Sequence, residues 1–176
     1  MKLFSKIFTV VALLTAVASA QFLSQAPSIE KDAKGVAKKI NYGITLGGIS
    51  DPGILLSHFS QRPLLVYYYS PKCPHCQQSY PKFLAVLKDF ESKGLQGIAI
   101  SVGNAKKNDI RAFMDQHSQQ VPMFQDDAGK FGGTYGSGHV PMMMLVFADG
   151  TYIRYTENNS ETIPQIRAEL SRKLGK

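Results

Sequence analysis

Leu64 to Tyr69 (LLVYYY) is an unbroken apolar and aromatic run of strand length, the pattern of a central strand buried on both faces. Beyond it Tyr80, Phe83, Leu84, Leu87 and Phe90 recur at helical spacing, which predicts an amphipathic helix ended by Gly94. Gly97 to Val102 (GIAISV) predicts the next strand. Residues 106–117 carry Ile110, Phe113 and Met114 on one helical face, Val121 to Phe124 is a short extended piece, and residues 128–138 hold a Gly-rich turn and helix. Met142 to Phe147 (MMMLVF) predicts another buried strand, and Asp149-Gly150 a hairpin turn into Thr151 to Tyr155 (TYIRY). A last helix bears Ile163, Ile166, Leu170 and Leu174, with Pro164 in its first turn, where a missing N–H is tolerated. This alternation, closed by a hairpin and a helix, predicts an α/β sandwich: a mixed central β-sheet with helices on both faces.

Residues 1–40 stand outside that alternation. Lys2 and Lys6 precede a short apolar core, Ile7 to Val17, and Ala18-Ser19-Ala20 is a small-residue cleavage site. Residues 1–20 therefore predict a signal peptide cut near Ala20, and a chain that is periplasmic or otherwise exported. The apolar stretch is too short and wrongly flanked for a membrane span. Residues 21–40 are polar and Lys-rich, a leader whose composition suits either a short helix or a mobile segment. Residues 41–176 are then one domain, large enough to bury a core without disulfide staples. The formal charge of +7 falls to +5 once Lys2 and Lys6 are removed. No run of Lys or Arg is interleaved with aromatics, so the charge describes a basic soluble surface and no nucleic-acid footprint is expected.

An oxidising compartment favours structural disulfides, yet the only two cysteines of the chain sit together in Cys73-Pro74-His75-Cys76. A bridge between them closes a tiny ring and staples nothing distant, so the pair is a switch between dithiol and disulfide. The motif follows a predicted strand and opens a predicted helix. Unpaired N–H groups and the positive end of the helix dipole stabilise a thiolate on the first cysteine there. Cys73 is the expected nucleophile and Cys76, one turn further in, the buried resolving thiol. Lys72 and His75 flank the nucleophile, and each can favour its thiolate. A zinc site would need a second CxxC or a paired His motif, and haem attachment would need His where Gln77 stands.

On these residues the chain resembles the thioredoxin superfamily. Pro81 stands where the family carries the proline that kinks its active-site helix, and His139-Val140-Pro141 matches its cis-proline loop. The resemblance implies that Val140 and Pro141 present backbone to a substrate chain beside the CxxC. Residues 41–176 are similar, more narrowly, to the TlpA-like exported oxidoreductases, with Asp126-Asp127-Ala128-Gly129 and Asp149-Gly150 at the family's "D-x-x-G" and "D-G" turns. The chain departs from the pattern in three places. Ser70-Pro71-Lys72 replaces the usual Trp before the motif. Tyr67 and Ser79 stand where thioredoxin and many TlpA-like reductases, respectively, carry a carboxylate that serves the resolving thiol. The dipeptide Pro74-His75 is instead that of the strongly oxidising DsbA family, whose first cysteine has a pKa of about 3.5 and whose potential is about −120 mV. The chain is too short for the helical insertion of DsbA proteins.

These readings converge on an exported protein thiol–disulfide oxidoreductase. Cys73 and Cys76 are its catalytic pair, Pro74 and His75 tune it, and Val140 and Pro141 shape the substrate groove. Its expected partners are protein substrates with thiols or disulfides and a membrane redox partner, and the cysteine pair needs no cofactor or metal. Electron flow is expected to be oxidising, the alternative being a TlpA-type reductase with the same site. A Cu(I) metallochaperone using Cys73, Cys76 and Met142 or His139 is the alternative from another class. Met142, Met143 and Met144 cannot converge on one ion from a single strand, because alternate side chains face opposite ways. Of Tyr67, Tyr68 and Tyr69, all expected to fill the sheet, only Tyr69 is expected near the site. A peroxidase is disfavoured by Val66, which occupies a position where peroxiredoxins carry proline.

Overall fold

The computed structural model describes residues 27–156 and 159–175. The expected signal peptide, its cleavage site and residues 21–26 lie outside the described residues.

Seven strands form one mixed sheet: β1 (Thr45–Gly48), β2 (Ile54–Leu55), β3 (Leu64–Tyr69), β4 (Gln96–Ser101), β5 (Met123–Gln125), β6 (Met142–Val146) and β7 (Tyr152–Tyr155). They are ordered β2-β1-β5-β4-β3-β6-β7. The β3–β4 and β4–β5 pairs are parallel, while β3–β6, β6–β7, β1–β5 and β1–β2 are antiparallel. Parallel neighbours need a crossover, which explains why helices separate β3 from β4 and β4 from β5. Those helices are α1 (Pro74–Phe90) and α2 (Lys107–Gln116), and the chain adds α3 (Lys130–Tyr135) and α4 (Thr162–Leu174). This is the α/β sandwich that the hydrophobic pattern predicts, with the thioredoxin-like fold that the resemblance implies.

β3 is central, and all six of its residues are buried. Strand side chains alternate between faces, so its odd and even positions enter different cores. Leu65, Tyr67 and Tyr69 join Cys76, Tyr80 and Phe83 of α1, Phe113 of α2 and Ile166 and Leu170 of α4. Leu64, Val66 and Tyr68 pack with Leu56, Phe59, Phe131 and Tyr135 on the opposite face. The three methionines of β6 divide the same way, Met143 into the first core and Met142 and Met144 into the second.

Helix α1 has Pro74 at its first position, where its missing N–H costs nothing. It continues through Pro81, which cannot donate to the Gln77 carbonyl, and passes through a short 3-10 turn (Glu91–Lys93) to Gly94, at φ 87°.

Residues 27–40 form neither of the structures their composition suggests. The Asp32 carboxylate accepts from the N–H groups of Lys34 (2.8 Å) and Val36 (2.9 Å), closing a turn that bridges Lys31 to Ala37. The segment then lies along the free edge of β7. Glu30 donates its N–H to the Tyr152 carbonyl, Ile40 to that of Gly150, and Lys39 bridges to Thr151. Arg154 of β7 completes the attachment through an ion pair with Glu30 at 2.8 Å. An unpaired sheet edge is a template for unwanted pairing, and this segment covers it.

Candidate active site

The buried strand β3 ends at Tyr69, four residues before the first cysteine, and so aims the motif at the carboxyl edge of the sheet. Cys73 is the N-cap residue of α1, in extended conformation, with its N–H on the Ser70 carbonyl (3.1 Å). Its thiol is half-buried, and both cysteines are free. The Cys73 sulfur lies 3.8 Å from the Val140 carbonyl oxygen, and the Val140–Pro141 peptide bond is cis. Cys73 and the expected substrate loop, 67 residues apart in sequence, thus meet at one place.

Cys76 is fully buried, with 0% exposure. Burial pushes its thiol up to about 12, and hydrogen bonding with the Cys73 sulfur adds to the rise; hydrogen bonds from the Ser70 backbone and the Tyr67 side chain oppose it. The two sulfurs are therefore unlike: one reaches solvent at a helix start, the other is a neutral thiol inside. Alkylation of the reduced protein near pH 8 is expected to modify Cys73 and spare Cys76. A thiol titrating at about 12 should react at least roughly a hundredfold more slowly there than one at the free value of about 8.5. Mass spectrometry of peptides after a timed pulse of iodoacetamide checks this, and preferential labelling of Cys76 would reverse the assignment.

The other predicted residues divide. Pro74 and His75 are solvent-exposed on the first turn of α1, His75 two positions after Cys73. Pro141 is buried and Val140 half-buried, packed against both cores. Lys72 does not turn its charge on Cys73 alone, because its Nζ is 2.9 Å from the Asp109 carboxylate of α2. His139 is exposed, and Met142 lies in the core across the sheet from that of Cys76. A copper set of Cys73, Cys76 and Met142 therefore does not assemble.

The expectation for the β3 tyrosines needs correction. Tyr69 is within electrostatic range of Cys76, but its hydroxyl donates to the Met123 sulfur at 3.6 Å. Tyr67 is the one that reaches the motif: its hydroxyl donates to the Cys76 carbonyl at 2.7 Å and lies 2.7 Å from Ser79 Oγ. A strand buried on both faces makes every aromatic look like filling, so the pattern hid this hydroxyl. The usable signal was Ser79, one turn beyond Cys76, paired with a tyrosine at the other position lacking its expected carboxylate.

Ahead of the cis-proline, the D-x-x-G turn has a clear physical basis. Asp126 is fully buried, and its carboxylate accepts from the N–H groups of Phe131 (3.0 Å) and Gly132 (2.7 Å) and from the Tyr68 hydroxyl (3.3 Å). Gly129 adopts the left-handed conformation, φ 64°, at the turn into α3.

A half-exposed thiol at a helix start, a buried thiol one turn inside and a cis-proline loop against the first sulfur define a thiol–disulfide oxidoreductase on a thioredoxin-like fold. Residues 45–156 match the model of the AhpC/TSA family, and the chain belongs to that family. It is 25% identical over 151 residues to the thiol-disulfide oxidoreductase ResA of Bacillus thuringiensis and of Bacillus anthracis, covering 84% of each chain. Its fold is similar to a crystal structure of a putative thiol:disulfide interchange protein DsbE from Chlorobium tepidum, at TM-score 0.68 and 20% identity, covering 78% of this chain and 99% of that one. A secreted Mycobacterium tuberculosis disulfide oxidoreductase shares the fold at TM-score 0.64 and 15% identity, over 74% of this chain and 96% of its own.

Proposed function

We propose that the protein is an exported oxidant of protein dithiols, exchanging disulfides through Cys73 and Cys76. The observation that carries this reading is the asymmetry of the pair: Cys73 half-exposed at the N-cap of α1 and Cys76 fully buried behind it. In the oxidised protein a substrate thiolate attacks the Cys73 sulfur. A Cys73–substrate disulfide forms, the Cys73–Cys76 bond breaks, and Cys76 leaves with the electron pair and takes up a proton. A second substrate thiolate then attacks its own half of the mixed disulfide, releasing oxidised substrate and the Cys73 thiolate. Two electrons pass to the cysteine pair, and no cofactor is required. Val140 and Pro141 shape the groove that holds the substrate backbone, and a membrane redox partner reoxidises the pair.

The oxidising direction is supported by His75 on the exposed first turn beside Cys73, and by hydroxyls rather than carboxylates at positions 67 and 79. A cation or helix start that favours the Cys73 thiolate stabilises the dithiol relative to the disulfide, and so makes the disulfide a better oxidant. Stoichiometric mixing of oxidised protein with a reduced, unfolded two-cysteine peptide should yield peptide disulfide and protein dithiol. Net flow from the reduced protein to a peptide disulfide would make it a reductase. His75→Gln is expected to shift the potential tens of millivolts more negative, about 30 mV for each 1.4 kcal/mol of lost thiolate stabilisation. An unchanged potential would remove His75 from the tuning set.

A further inference from the structure

Cys76 must become a thiolate in a buried site in either direction of exchange. It is the leaving group when the disulfide opens and the attacking group when it closes. An uncompensated charge there is costly. The groups acting on it from the packed elements are Cys73 of α1, the Ser70 backbone, Tyr67 and Tyr69 of β3, and none of these is a carboxylate. Lys72 and Asp109 pair with one another nearer the surface, and His75 is in solvent.

What lies behind Cys76 is a pair of hydroxyls. Tyr67 O is 2.7 Å from the Cys76 carbonyl oxygen and 2.7 Å from Ser79 Oγ, and the same hydroxyl acts on the Cys76 thiol, opposing the rise that burial gives it. Ser79 Oγ is 2.8 Å from the His75 carbonyl and 3.4 Å from that of Cys76. Two hydroxyl protons therefore face more acceptors than they can satisfy: two carbonyls, a sulfur and each other's oxygens. Such a pair can redistribute its protons without moving a heavy atom. Burial holds the Tyr67 phenol well above its ordinary range, so it stays protonated and acts as a donor, never as a base.

We propose that Tyr67 is the hydrogen-bond donor to the Cys76 thiolate during exchange, and that Ser79 is the positioning residue that sustains it. With Cys76 neutral, the Tyr67 proton rests on the Cys76 carbonyl and that of Ser79 on the His75 carbonyl. With Cys76 charged, the Tyr67 proton turns to the sulfur and Ser79 donates into the Tyr67 oxygen. A carboxylate at either position would accept the thiol proton; this pair instead stabilises the anion after the proton has gone to a base in solution. The proposal rests on the Cys73–Cys76 exchange chemistry and assigns how its second sulfur is served.

The test uses the reduced protein and the aromatic disulfide dithionitrobenzoate, which separates the two sulfurs in time. The Cys73 thiolate attacks the probe, forms a mixed disulfide and releases one coloured thionitrobenzoate. Cys76 then loses its proton to solvent base and attacks Cys73, closing the protein disulfide and releasing the second. Tyr67→Phe is expected to keep the first phase and slow the second about tenfold, the loss of one hydrogen bond to a charged group, with its pH profile displaced upward by about one unit. Ser79→Ala should slow the second phase less, and the double variant no more than Tyr67→Phe alone, because both act through one donor. A second phase in Tyr67→Phe with wild-type rate and pH profile overturns the proposal, as does equal slowing of both phases. A wild-type protein releasing no first equivalent overturns the exchange reading beneath it as well.

Discussion

Replacing Cys76 by serine is expected to turn the protein into a trap. Cys73 retains its place at the start of α1 and still forms mixed disulfides, but nothing inside the protein can resolve them. Intramolecular attack by a well-placed group corresponds to effective concentrations of about 10⁵ M or more. Release by millimolar thiol from outside should therefore be at least roughly a thousandfold slower than by Cys76. Cys73→Ser should form no mixed disulfide at all, because Cys76 is fully buried and its thiol is pushed up to about 12. Non-reducing gels of the two variants expressed in cells give the readout. Adducts with Cys76→Ser alone support the assignment, and equal trapping by both variants, or by neither, contradicts it.

The second large effect is expected from Asp126, which touches neither cysteine. Its buried carboxylate serves the Phe131 and Gly132 N–H groups and the Tyr68 hydroxyl. Asp126→Ala leaves all three without that acceptor, beneath the turn that leads through α3 to the cis-proline loop. Stranded buried donors cost about 1–3 kcal/mol each when no water replaces the lost partner. With partial relaxation the loss of folding stability should be about 3 kcal/mol. Asp127→Ala is the control: the neighbouring side chain is exposed, and its loss should stay within about 0.5 kcal/mol. Urea unfolding of both variants measures the difference. Equal destabilisation would show that the turn depends on charge in general and not on the buried carboxylate.

The parts of the fold legible in the sequence are those whose burial imposes a period. β3, β4 and β6 are continuous apolar runs because helices or loops cover both faces, and α1 shows its stripe because only one face packs. β1 and β2 carry no such mark. They have four and two residues, and β1 contains Gly47 and Gly48, which supply no side-chain pattern. The glycines are there for space: a Cβ on Gly48 would fall 1.7 Å from the Asp51 carbonyl oxygen. Residues 27–40 were equally opaque, since the partner of Glu30 is Arg154, 124 positions away.

The site divides along the same line. A CxxC between a strand and a helix is a local pattern, and Cys73, Pro74, His75 and Cys76 take the positions it predicts. Pro141 was singled out through resemblance; its bond to Val140 is cis, and the Val140 carbonyl lies 3.8 Å from the Cys73 sulfur. Contacts made by the fold were not legible. Lys72 looks like a neighbour of Cys73 in sequence, but Asp109 from another helix shares its charge. Tyr67 looks like core, and only the return of α1 over β3 brings Ser79 and Cys76 to its hydroxyl.

Cys73 and Cys76 are proposed to form one two-electron couple poised to oxidise. Equilibration with glutathione buffers of graded ratio, followed by acid quench, alkylation and mass spectrometry, tests it most directly. A single transition is expected, in which both thiols disappear together into a Cys73–Cys76 disulfide at a potential well above the value of about −270 mV for thioredoxin. Thiols that stay reduced across the whole range, or that pair with glutathione and not with each other, would contradict the couple. A joint transition near −270 mV would contradict its oxidising poise.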